Sequence, residues 1–66
     1  MTKRFSPQRI LHRRRRMGKT QAELSREVGI SQVSISAIEQ GRRQPRTCTL
    51  ARLASALNCP VDSFFV

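Results

Sequence analysis

The chain has no tryptophan and no tyrosine, and three phenylalanines make up its aromatic content. A core built from large aromatic rings is therefore excluded. With 66 residues, the chain makes one domain near the lower size limit at which a single core holds a fold unaided. Soft metal ligands are equally scarce: His12, Cys48 and Cys59 stand apart with neither C-x-x-C nor H-x-x-x-H spacing, so no metal site is expected. Nothing resembles the apolar stretch of a secretory signal, and both cysteines are read as reduced thiols in or near the core. No apolar run approaches the roughly 20 residues that span a bilayer. A cytoplasmic protein with no membrane partner is the expectation. One histidine, no acid pair on a common face and no phosphate-cradling glycine loop leave no catalytic residue to assign. Neither an enzyme nor a cofactor is expected.

Acid is the other shortage. Four Asp and Glu stand against 13 Lys and Arg, for a net charge of +9, and so one-sided a surface points to a polyanionic partner, nucleic acid first. The bases are clustered. Lys3, Arg4, Arg9, Arg13, Arg14, Arg15, Arg16 and Lys19 fall within the first 19 residues with no acid among them, and Arg42, Arg43, Arg46 and Arg52 form a second group.

What is present reads as an all-α, compact five-helix domain over residues 6–66, preceded by a flexible basic arm over 1–5. Ser6-Pro7 starts helix 1, which runs to about Met17 and stops at Gly18. Thr20 and Glu23 fit a capping box at the head of helix 2, about 20–28, with Leu24 and Val28 on its inner face. Gly29 breaks that helix, Ile30 plugs the turn, and Ser31 caps a third helix over about 31–40, closed by Gly41. Residues 42–46, RRQPR, make a basic loop. Thr47 is the expected cap of helix 4, whose stripe is Leu50, Leu53, Ala54 and Leu57, with Asn58 as a left-handed terminator. Pro60 opens a short last helix from Val61 to about Phe65.

Two short helices joined by a glycine-containing turn match a helix-turn-helix. On the third helix, Ile35 and Ile38 mark the buried side. Val33, Ser36, Ala37 and Gln40 fall opposite, with Gln32 on the flank. That outer face is uncharged and low in profile, which suits insertion into a groove lined by phosphates.

The runs TQAELSREVGISQVSISAIEQGRRQP and TLARLASALNCPVDSFF resemble the lambda-repressor-like, Cro/Xre-type helix-turn-helix domains over about residues 8–65. The resemblance implies a sequence-specific, double-stranded DNA-binding regulator, a repressor by expectation, that acts as a symmetric homodimer with a helix in the major groove and no small-molecule effector evident. It implies that Gln32, Val33, Ser36 and Ala37 face base edges and that Gln21 meets the DNA backbone at the start of helix 2. Thr20, Ser31, Gln40, Arg42, Arg43 and Arg46 join Gln21 as backbone candidates. It also implies an ion pair between Arg14 and Glu39. Phe64, Phe65 and Val66 are the candidate dimer interface, since a helix so short rarely buries both rings and the family commonly pairs there. Arg13 and Lys19 stand where the family commonly has apolar residues, so helix 1 is expected either to pack more loosely or to rely on aliphatic stems.

Several alternatives stay open at the level of sequence. Arg13–Arg16 reads either as a solvated face or as phosphate contacts, with Arg14 turned inward. Gln32 can read adenine or hold a phosphate or Gln21. An antitoxin-like protein-interaction module with secondary DNA binding is the rival function, although little chain is left over for such a partner. RNA binding through helix 1 is a third.

Overall fold

The helix boundaries follow from local chemistry. A computed structural model describes residues 3–66, with α1 at Pro7–Arg16, α2 at Gln21–Val28, α3 at Gln32–Glu39, α4 at Thr47–Ala56 and a short 3-10 helix at Val61–Phe64. At α2 the capping box is complete: the Thr20 hydroxyl accepts from the Glu23 amide at 3.0 Å, and the Glu23 carboxylate accepts from the Thr20 amide at 2.9 Å. The Ser31 hydroxyl accepts from the Ser34 amide at 3.0 Å and starts α3. Asn58 takes a φ of 54° after α4, where the Cys59 and Asn58 amides donate to the Ala54 and Ser55 carbonyls at 3.0 and 3.2 Å.

Two caps differ from expectation. The Ser6 hydroxyl donates to Gln8 Oε1 at 3.2 Å and caps no helix amide, so Pro7 at the first position carries the start of α1. The N-cap of α4 is Arg46, and Thr47 is already inside the helix. The last helix is also tighter and shorter than an α-helix through Phe65.

The core sits where the four helices and the 3-10 helix converge. Ile10, Leu24, Val28, Ile35, Ile38, Leu53, Leu57 and Phe64 are all almost fully buried there, with Leu50 and Ala54 closing its edge. α1 contributes Ile10 alone. It is held instead by its arginines and by its neighbours' carbonyls: Arg13 donates from Nε to the Leu57 carbonyl at 3.2 Å and from Nη2 to that of Asn58 at 3.1 Å. Lys19 Nζ donates to the Ala56 carbonyl at 2.7 Å. Two cations thus meet the orphan carbonyls at the C-terminus of α4, where they are favoured by the helix dipole. Both side chains are half-buried along their stems, and their charged heads end on the carbonyls of a helix end.

The basic arm is shorter than expected. Arg4 and Val66 exchange backbone hydrogen bonds at 2.8 Å each, and the Ser6 amide donates to the Phe64 carbonyl at 2.7 Å. Phe5 and Phe65 pair as an antiparallel bridge, their rings edge to face with centroids 5.8 Å apart. The expected mobility of residues 1–5 therefore does not reach residues 4 and 5, and Met1 and Thr2 lie outside the described residues. Of the cysteines, Cys59 packs against the core but Cys48 is exposed, because it falls on the outer side of the first turn of α4.

Candidate nucleic-acid interface

α2 and α3 are joined at Gly29, whose φ of 81° is left-handed and suits glycine, so the chain turns from one helix to the next over residues 29–31. Ile30 packs against the core and fixes the turn. Ile35 and Ile38 then point inward, at 1% and 2% exposure, while Val33 stands 76% exposed. Gln32 and Gln40 are exposed beside it, and Ser36 and Ala37 form a half-buried floor between them. Gln40 Nε2 donates to the Ser36 hydroxyl at 3.0 Å. The outward face of α3 is thus uncharged and shallow, with amides at both ends and a valine in between.

The tilt of α3 is set by one polar cluster. Arg14 grips Glu39 in a fork, with Nε to Oε2 at 2.7 Å and Nη2 to Oε1 at 3.2 Å. Its Nη1 donates to the Lys19 carbonyl at 2.8 Å, and Gln21 Nε2 donates to Glu39 Oε1 at 2.9 Å. The last residue of α3 is thereby tied to α1, to the connector before α2 and to the first residue of α2. The Glu39 and Arg14 side chains are only 3% and 11% exposed. One amide hydrogen of Gln21 is spent on this cluster, so the side chain is braced against the end of α3.

Beyond α3 the loop is anchored by Pro45, which is buried, while Arg42, Arg43 and Arg46 stay exposed around it. Arg43 folds back along α3, and its Nη1 donates to the Ser34 hydroxyl at 3.3 Å. Thr20 and Ser31 are exposed at the heads of α2 and α3. Sequence reasoning missed two members of this edge. Arg4 shares a shallow groove with Arg43 and Gln44, brought there by its backbone pairing with Val66, and Ser34 positions Arg43. The only signal for Ser34 was its place three residues after a capping serine.

Among the described residues, no acid lies on the outward face of α3. Glu39 faces Arg14, Glu27 faces Lys19 and Asp62 lies 3.9 Å from Lys3. Glu23 closes the capping box, where the hydrogen bond from the Thr20 backbone, and then that from its side chain, hold its carboxyl below the ordinary value.

The candidate dimer patch needs correction. Phe64 is 1% exposed and belongs to the domain's own core, so it offers nothing to a partner. Phe65 is half-buried against Phe5, and Val66 remains 57% exposed. The ring left over by the short helix has found its partner within the chain.

The sequence pattern of the helix-turn-helix family matches residues 10–64. The chain belongs to this helix-turn-helix family. Within it, the chain is 48% identical over 44 residues to an uncharacterized HTH-type transcriptional regulator, y4dJ, of Sinorhizobium fredii, covering 67% of this chain and 57% of that protein. It is 34% identical over 55 residues to the cryptic phage CTXphi transcriptional repressor RstR of Vibrio cholerae, covering 83% of this chain and 49% of that protein. This helix-turn-helix chain therefore spans about half the length of both relatives. Its fold is similar to that of the P22 c2 repressor solved in complex with a synthetic operator, with a TM-score of 0.87, 34% identity and 92% of each chain covered.

Proposed function

We propose that this chain is a sequence-specific, double-stranded DNA-binding transcriptional regulator of the repressor kind, which lays α3 in the major groove and acts as a symmetric dimer. The observation that supports this most is the exposed, acid-free face of α3, bordered on one side by the capped head of α2 and on the other by Arg42, Arg43 and Arg46. Gln32 pairs bidentately with an adenine edge, its Oε1 accepting from the N6 amine and its Nε2 donating to N7. Val33 and Ala37 offer apolar contact suited to thymine methyl groups, and Ser36 hydrogen-bonds either way. Thr20, Gln21, Ser31, Gln40 and the loop arginines hold the flanking phosphates, which fixes register without reading sequence. The names of the relatives, a transcriptional repressor and an operator-bound repressor, favour the same role.

Dimerisation is proposed through Val66 and the uncovered edge of Phe65. Two-fold symmetry then asks for a near-palindromic site whose half-site centres lie about 34 Å apart, roughly 10 base pairs. Selection of bound sequences from a random duplex pool tests the whole proposal. An enriched, near-palindromic motif is expected, with Gln32→Ala relaxing the preference at one base pair per half-site. A pool that returns unenriched would refute sequence-specific binding, and a motif of a single half-site would refute the dimer.

A further inference from the structure

α1 sends its basic side chains in several directions, and only some of them face α3. Arg14 reaches Glu39, and Arg13 reaches the carbonyls after α4. At about 100° per residue, Arg9, His12 and Arg16 fall within about 60° of one another and about 140–160° round the helix from Arg14. They therefore lie on the side of α1 turned away from α3. There they line one wall of a cleft of about 350 Å³, with Ser63 of the 3-10 helix opposite and Phe64 beneath. Arg9 Nη1 donates to the Ser63 carbonyl at 3.3 Å, which holds its guanidinium at the rim. His12 and Arg16 are exposed and have no hydrogen-bonding or ion-pair partner among the described residues. The one acid on the opposite wall element, Asp62, lies 3.9 Å from Lys3 Nζ.

Positive charge with no acid among the lining residues narrows the partner. Phe64 is buried beneath the cleft and exposes 1% of its surface, so no apolar anchor of the kind that dominates protein–protein contacts is on offer. Interfaces with nucleic acid are instead polar and strongly positive. We propose that this α1 cleft is a second DNA-binding surface, which grips the phosphodiester backbone of another duplex through Arg9 and Arg16 without reading its sequence. DNA has a persistence length of about 150 base pairs, and the domain measures only 35 Å along its longest axis. Wrapping one duplex round both faces needs a sharp and costly bend that two separate duplexes avoid. One protein molecule therefore bridges two duplexes. The bridging depends on the α3 proposal above, whereas the grip of the cleft does not.

The test uses the full chain and a fluorescent 20-base-pair duplex of arbitrary sequence, followed by anisotropy at low salt. Gln32→Glu with Val33→Glu blocks α3 at two exposed positions, and Arg42→Ala, Arg43→Ala and Arg46→Ala in the same protein remove the loop's phosphate contacts. Residual binding should persist, with log K falling against log salt at a slope of about −2, from roughly −0.9 for each phosphate neutralised. Adding Arg16→Ala, whose side chain supports nothing else in the fold, should reduce that slope by about 1. Adding Arg9→Ala as well should abolish the residual binding, with melting by circular dichroism checking that each variant stays folded. Complete release of the duplex by the α3-blocked protein would overturn the proposal, as would residual binding indifferent to Arg9 and Arg16. Displacement by polyglutamate as effective as by unlabelled DNA would also overturn it and point to an acidic protein partner. In the unmodified protein, bead-held DNA should capture a second labelled duplex, and Arg9→Ala with Arg16→Ala should abolish that capture while leaving selected-site binding intact. Failure of site selection with retention of the residual binding would reject the α3 proposal alone.

Discussion

Removing Arg14 tests how the recognition helix is held. Arg14→Met keeps much of the side chain's volume but takes both donors from Glu39, leaving the Gln21 amide as the only donor to a side chain 3% exposed. It also deprives the Lys19 carbonyl of its guanidinium partner. Breaking a buried pair from one side costs about 3–5 kcal/mol. A domain of this size has a total stability of roughly 3–10 kcal/mol, taken at 0.05–0.15 kcal/mol per residue, so the loss is a large share of the whole. At about 4–8 °C per kcal/mol, the midpoint should fall by at least about 12 °C. Glu39→Leu should cost less, because Arg14 is nearer the surface and keeps its bond to Lys19. The double variant should recover much of the Arg14→Met loss, since two apolar groups strand no charge. Urea unfolding followed by circular dichroism, run on all four proteins, gives the coupling directly, expected at about 2–3 kcal/mol. An Arg14→Met cost under about 1 kcal/mol, the range of an exposed pair, or strictly additive single costs, would refute this account.

Other outcomes follow from the same structure. Binding to an operator should weaken with salt at a slope of about −5 if about six phosphates are neutralised per bound unit, and a slope near zero would remove Arg42, Arg43 and Arg46 from the DNA backbone. The Glu23 carboxyl is held below its ordinary value of 4.5 by the Thr20 hydrogen bonds, so its contribution to stability is fully present above that value and is lost as pH falls through the depressed one. Glu23→Gln should flatten the acid limb of urea midpoint against pH, and an unchanged limb would count against the capping box. Gly29→Ala places a methyl 3.8 Å from Arg52 Nη1, an ordinary contact, so its cost of about 1 kcal/mol comes from the left-handed backbone alone, and urea unfolding with no change would refute that. Phe65→Ala removes the edge-to-face pair with Phe5, worth about 0.5–1.5 kcal/mol, and should also weaken self-association in sedimentation; a monomeric parent protein at high concentration would set aside the dimer.

How much was legible depended on the distance over which each feature is decided. The all-helical class, the two-helix unit around Gly29, the Thr20–Glu23 box and the Asn58 terminator depend on residues a few positions apart, because caps and turns are closed by neighbouring backbone groups. The inward stripes of α3 and α4 were legible for the same reason, since helical periodicity places Ile35, Ile38, Leu50, Leu53, Ala54 and Leu57 on fixed sides. Arg13 and Lys19 looked like poor core residues in sequence. Only the arrival of the C-terminus of α4 beside them, some forty positions on, supplied the carbonyls that use their charge. Phe64 and Phe65 are adjacent in the chain, and a helix reading of so short a segment cannot say which ring turns inward. The 3-10 geometry of Val61–Phe64 and the return of residues 4–6 against 64–66 decided it, burying Phe64 in the core and giving Phe65 to Phe5. Those pairings join the two ends of the chain, and no local preference encodes them, because the contact energy that selects them exists only once the four helices have brought the ends together.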